Sequence, residues 1–151
     1  MEYGITLSIR QFLATYMPEA SEVVLIRDGI VLSGKAKPFL TVEYLGDENA
    51  VMSAGHRSYE EVYHFQVGVF ANNIGELLRL QSKVKTVLRR PDGIVLYDDS
   101  GVATQERFAV DVTGFTPITS DDTSNESENH RGYFDVSVTI YRDTGEQEYS
   151  Q

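Results

Sequence analysis

Tyr63-His64-Phe65-Gln66-Val67-Gly68-Val69-Phe70, a break at Ala71-Asn72-Asn73, the run Ile74 to Arg90, then Pro91-Asp92-Gly93 and Ile94-Val95-Leu96-Tyr97: this stretch decides the fold. Alternate side chains of a strand point to opposite faces, so Tyr63, Phe65, Val67 and Val69 share one face. His64, Gln66 and Gly68 share the other, with Phe70 an apolar exception, the pattern of a sheet covered on one side. The next run carries Ile74, Leu77, Leu78, Val84, Val87 and Leu88, with Leu80 beside them, which predicts an amphipathic helix. Asn73 is the expected N-cap, because its side-chain oxygen can accept from a free backbone N–H. Glu76 near the start and Arg89-Arg90 near the end complement the helix dipole, and Pro91 stops the helix. The apolar stripe, Leu78 included, is expected to pack on the sheet, so that Leu78→Ala would cost ~2–5 kcal/mol.

The polar side of the same helix stands out by charge. Arg79, Lys83 and Arg90 fall in one narrow sector of the helical wheel, and Lys85 lies at the edge of the apolar stripe with a stem able to snorkel. Five of the chain's 13 basic residues lie between Arg79 and Arg90, in a chain whose formal net charge is −10. A solvated face is one reading; the sharper one is contact with an acidic protein surface, a second copy of this chain among the candidates. No aromatic or glycine-rich element accompanies the patch, which weighs against phosphate binding.

Outward from this unit the chain reads in order. Ile5, Ile9, Phe12, Leu13 and Tyr16 predict a first helix from Ile5 to Met17, ended by Pro18. Glu22 to Ile26 reads as a strand, with Ile30-Val31-Leu32 as a returning arm or a connecting loop. Phe39 to Leu45 reads as a second strand, ended by a turn at Gly46-Asp47-Glu48-Asn49. Ala50 to Glu60 has no clean period and reads as a loop or a hairpin arm. Phe108, Val110 and Val112 alternate into Phe115-Thr116-Pro117-Ile118. Thr119 to Gly132 is polar throughout and reads as a long loop. Tyr133 to Tyr141 alternates cleanly, with Phe134, Val136, Val138 and Ile140 on one face, and Glu146 to Gln151 is a polar tail expected to fray. The expectation is an α+β fold over 1–151: one domain, a mainly antiparallel or mixed sheet of five to six strands, two helices on one face, and mobile loops near 46–60 and 119–132.

Composition bounds the function. A chain of 151 residues that is 41% hydrophobic can bury a real core and is not a disordered segment. The acidic balance disfavours nucleic acid as a held ligand, though not DNA that passes without sticking. Without cysteine there is neither disulfide nor thiolate metal site; no apolar run approaches a membrane span, and no basic-then-apolar leader opens the chain.

No constellation for catalysis emerges. His56, His64 and His130 are not spaced to share a helical face, and no Gly-rich phosphate loop is present. Asp98-Asp99 and Asp121-Asp122 lack calcium-loop spacing. The expectation is a chain without catalytic residues, metal or cofactor. Tyr133 and Tyr141, on the polar face of the closing strand, are candidate interface anchors together with Arg79, Lys83, Lys85 and Arg90. His56, Arg57, Asp121, Asp122, His130 and Arg131 are the loop candidates for contact with other proteins.

The order of parts carries a resemblance. A short helix, strands, the Tyr63–Phe70 strand and the helix around Glu76-Leu77-Leu78-Arg79-Leu80-Gln81-Ser82-Lys83-Val84 come first. A strand, the segment Phe115-Thr116-Pro117-Ile118, a polar loop and Gly132-Tyr133-Phe134-Asp135-Val136-Ser137-Val138-Thr139 complete it. Across Ile5 to Arg142 the chain resembles the tail terminator, or tail-completion, proteins of long-tailed bacteriophages. That resemblance implies a structural virion protein at the tail–head junction, present in the host cytoplasm during assembly. Its partners would be itself, as a hexameric ring, the tail-tube protein it caps and the head connector protein, with DNA as passing cargo and no membrane. The family contributes no catalytic residues. Two other readings stay open: a protein–protein interaction or adaptor domain, and a small ligand-binding or enzymatic α+β domain, which predicts a pocket with convergent polar groups.

Overall fold

Alternation in the segment around Tyr63–Phe70 places it in the middle of a sheet. The computed structural model describes residues 1–26, 32, 34–51, 58–118 and 130–143. In chain order the elements are α1 (Glu2–Tyr16), β1 (Val23–Leu25), β2 (Phe39–Val51), β3 (Ser58–Phe70), α2 (Ile74–Leu88), β4 (Ile94–Tyr97), β5 (Ala103–Phe108), β6 (Val110–Ile118) and β7 (Arg131–Asp143). Five strands form one sheet in the order β1-β2-β3-β7-β6, and β4 and β5 form a separate two-stranded sheet. β1 runs parallel to β2; the other neighbours in the larger sheet are antiparallel. The expected α+β class holds, with the strands divided between two sheets.

One face of the larger sheet makes the core. Leu40 and Val42 of β2, Tyr63, Phe65, Val67 and Val69 of β3, and Phe134, Val136 and Val138 of β7 are buried in one cluster. Both helices cover this face: α1 through Ile5, Ile9, Phe12 and Leu13, α2 through Leu77, Leu80, Val84 and Leu88. Burying these side chains is the main source of stability, at ~25 cal/mol per Å² of apolar surface. Asn73 caps α2 as expected, its side-chain oxygen accepting from the Glu76 N–H at 2.8 Å. Phe70 is no exposed exception: on the opposite face it stacks on Phe39, centroids 4.6 Å apart, and meets Tyr133 edge-on. Val24, Phe39 and Phe70 form a small second cluster there, with Tyr133 and Leu32 against it.

Several sequence expectations change. Leu78 is 51% exposed and Ile74 56%, so neither belongs to the buried stripe. On a 3.6-residue helix Leu77, Leu80, Val84 and Leu88 centre the apolar face, and Ile74 and Leu78 fall about 75° and about 115° from that centre. The large cost expected for Leu78→Ala therefore does not apply. Gly46–Asn49 is not a turn: the β2–β3 register shifts between Tyr44 and Gly46, a bulge, and pairing resumes to Val51↔Tyr59. Residues 46–51 and 58–60 are thus strand and not loop, which agrees with the hairpin-arm alternative for Ala50 to Glu60, and 52–57 lie outside the described residues. β7 is longer than expected, so Arg131 and Gly132 are strand residues, paired with Phe70 and Val69. β5, where alternation is weak, was not expected, and Ala109 separates it from β6. α1 starts at Glu2 rather than Ile5, and α2 ends at Leu88 rather than Arg90. Ile30-Val31, the rest of the expected 119–132 loop before His130, and the expected frayed tail lie outside the described residues.

Candidate interaction surfaces

The stop of α2 at Leu88 divides its basic residues into engaged and free. Lys83 donates to Glu19 at 2.6 Å, tying α2 to the segment after α1. Arg89 reaches the Val112 carbonyl of edge strand β6 at 3.4 Å. Arg90, past the helix, pairs with Asp92 at 3.3 Å and lies 4.4 Å above the Tyr16 ring. Asn73 thus closes the first turn of α2 locally, and Arg90 links the chain just past its end to Tyr16 of α1. Arg79 and Lys85 have no ion pair or hydrogen bond among the described residues. The sector read from the sequence as one patch is therefore mostly consumed inside the chain; of the free cations, Lys85 lies in line with exposed Ile74 and Leu78 and Arg79 about 100° around the helix from Leu78.

The Lys83 ammonium beside Glu19 is the main reason the Glu19 carboxyl is held below the usual range. A carboxyl depressed on folding contributes stability above its unfolded value and loses it as pH falls through the folded value. Urea midpoints of the native chain should therefore fall below about pH 4.5 more than those of Glu19→Gln. The pair is more than a third exposed on both sides, so the difference should stay under ~1 kcal/mol. Equal pH profiles for the two chains would remove the pair from the stability account.

The far face of the five-stranded sheet carries the opposite sign. Glu43, Gln66 and Asp135 stand in one cross-strand row on β2, β3 and β7. Glu48 takes His64 Nε2 at 2.8 Å, and Asp111 lies opposite Ser137. Arg131 is at the end of this face near the aromatic cluster. The bulge turns Leu45 outward, 53% exposed, into a trough of about 450 Å³ with His64, Thr113, Asp135 and Ser137. No helix covers this face among the described residues; both helices lie on the other.

The remaining sequence candidates do not form one site. Tyr133 is half-buried against Phe70, whereas Tyr141 is 67% exposed on the same strand. The His130 carbonyl accepts from Ala71 N–H at 2.8 Å, and Arg131 begins β7, so neither belongs to a free loop. His56, Arg57, Asp121 and Asp122 lie outside the described residues. Among the described residues no group of three His, Cys, Asp or Glu side chains is placed to hold a metal ion, and no helix is long and apolar enough to cross a membrane. A trough of about 570 Å³ between α1 and β2 is lined by Glu2, Tyr3, Thr6, Leu25, Glu43 and Tyr44. Its best polar group is already engaged: the Tyr44 hydroxyl donates to Asp47 at 2.6 Å, and burial with this bond raises the Tyr44 pKa. Sequence reasoning missed Ile74 and Leu78 as surface residues, because apolar side chains at periodic positions read as core, and did not single out Leu45, whose exposure follows from the bulge. No protein-family model matches the chain, and no curated protein matches it significantly.

Proposed function

We propose that this chain is a structural subunit of the bacteriophage tail–head junction, similar to tail terminators, which assembles into a ring that caps the tail tube. The observation that carries the reading is the solvent side of α2: two large exposed apolar side chains, Ile74 and Leu78, followed by the free cations Arg79 and Lys85 on a chain of net charge −10. Exposed apolar groups beside unpaired charge are the makings of a protein interface. An acidic subunit also suits a ring through which DNA slides, because a basic lining would hold the phosphates. Six subunits, the tail-tube partner and the head-connector partner come from the resemblance of the sequence.

Size-exclusion chromatography with light scattering, and negative-stain images with purified tail tubes, test the proposal. The expected result is a discrete ring, alone or seated on tube ends; a strict monomer that never binds tubes overturns it. Leu78→Ala should leave the unfolding midpoint within ~0.5 kcal/mol of native, because the side chain is half exposed, and yet weaken assembly about tenfold or more. A large stability loss with unchanged assembly would exclude this face as the contact.

A further inference from the structure

We infer that the occupant of the α2 outward face is the uncovered sheet face of a second copy of this chain, which rests on the ring reading above and names both halves of its contact. Each surface has an exposed apolar centre and a rim of one charge sign. On α2 the centre is Ile74 and Leu78 and the rim is Arg79 and Lys85; on the sheet the centre is Leu45 and the rim is Glu43, Asp135 and Asp111. The side chains of Arg79, Lys85, Glu43, Asp111 and Asp135 make no ion pair among the described residues, so each rim has charge left for a partner.

Charge and shape support the match. Arg79 and Lys85 are six residues apart, about 9 Å along the helix axis and about 120° around it, so their charge spreads over a broad outer side of α2. Glu43 and Asp135 occupy one row with only Gln66 between them, two strand spacings or about 9.5 Å apart. The Leu45 trough of about 450 Å³ is of a size to receive a leucine or isoleucine side chain. The two surfaces lie on different sides of the molecule, because α2 packs on the core face of the sheet and the acidic row is on the other. A contact between unlike surfaces is heterologous, so each copy keeps one free half and addition continues until the ring closes. A single dimer could not satisfy it symmetrically.

The test uses two double variants of the full chain, R79E/K85E on the helix and E43K/D135K on the sheet. Circular dichroism and thermal unfolding check that each folds, since all four positions are at least partly exposed. Sedimentation velocity is run at low salt over a concentration series. Each variant alone places like charges across the contact and should associate at least about 100-fold more weakly than the native chain. An equimolar mixture restores opposite charges at both kinds of junction, since an acidic helix meets a basic sheet and a basic helix an acidic sheet. It should assemble to within about tenfold of native, and the assembly should weaken as salt rises. Native-like association of the sheet variant alone, or failure of the mixture, overturns the pairing. If the helix variant is nevertheless monomeric in that case, the ring reading stands with another surface as partner. A native chain that stays monomeric throughout, with and without tail tubes, defeats both.

Discussion

Phe65→Ala is expected to remove ~3–5 kcal/mol of stability, a large fraction of the ~5–15 kcal/mol that holds a typical domain together. The reason is position. Phe65 is 1% exposed on the central strand β3, paired with Tyr44 on β2 and Val136 on β7. Its ring lies 5.5 Å from the Tyr44 ring. Truncation loses the transfer free energy of the ring and leaves a cavity between two strands whose ladders prevent them from closing in. The urea midpoint should fall steeply with an unchanged slope, and the far-ultraviolet spectrum below the transition should stay native. A loss below ~1 kcal/mol would show that the neighbouring side chains collapse into the space, and that the sheet core is far softer than its packing implies.

The second large effect is expected at Gly4. Alanine is favoured over glycine inside a helix by ~1 kcal/mol, so propensity alone predicts that Gly4→Ala stabilises α1. Packing reverses the sign. A Cβ on Gly4 would stand 2.3 Å from the Tyr97 carbonyl oxygen and 3.1 Å from the Asp98 carbonyl carbon, both main-chain atoms that no rotamer change can move. The helix would have to lift from β4. Doing so would stretch the bond from Gly4 N–H to Asp99 Oδ1 at 2.9 Å and that from Tyr97 N–H to Ser8 Oγ at 2.7 Å. Overpacking of ~1–3 kcal/mol, with weakened hydrogen bonds added, outweighs the propensity gain. A drop in melting temperature of roughly 4–10 °C is expected for a chain of this size. A rise would mean that the helix slides without cost and that the contact does not fix its position.

The two effects differ in how visible they are beforehand. Phe65 announces itself: it alternates with Tyr63, Val67 and Val69, and only one face of a pleated strand is available to them. Nothing in Glu2-Tyr3-Gly4-Ile5 indicates that a backbone ninety residues further on passes against the glycine. The same division runs through the interaction surfaces. Charge segregation between Arg79 and Arg90 was legible, but which cations were free was not, because Glu19 and the Tyr16 ring reach Lys83 and Arg90 only through the packing of α1 beside α2.

By itself the sequence determined the α+β class, the central strand, the capped helix after it and the closing strand, since these follow from local periodicity, the Asn73 cap and the stop at Pro91. It also determined the acidic body with its basic helix. Only the tertiary structure decided that Gly46–Asn49 continues a long strand past a bulge at Leu45, that β4 and β5 leave the main sheet, and that Ile74 and Leu78 face outward. Those outcomes depend on which partner each strand finds and where the helix axis settles. Contacts between residues far apart in the chain set both, and a local pattern carries no record of them.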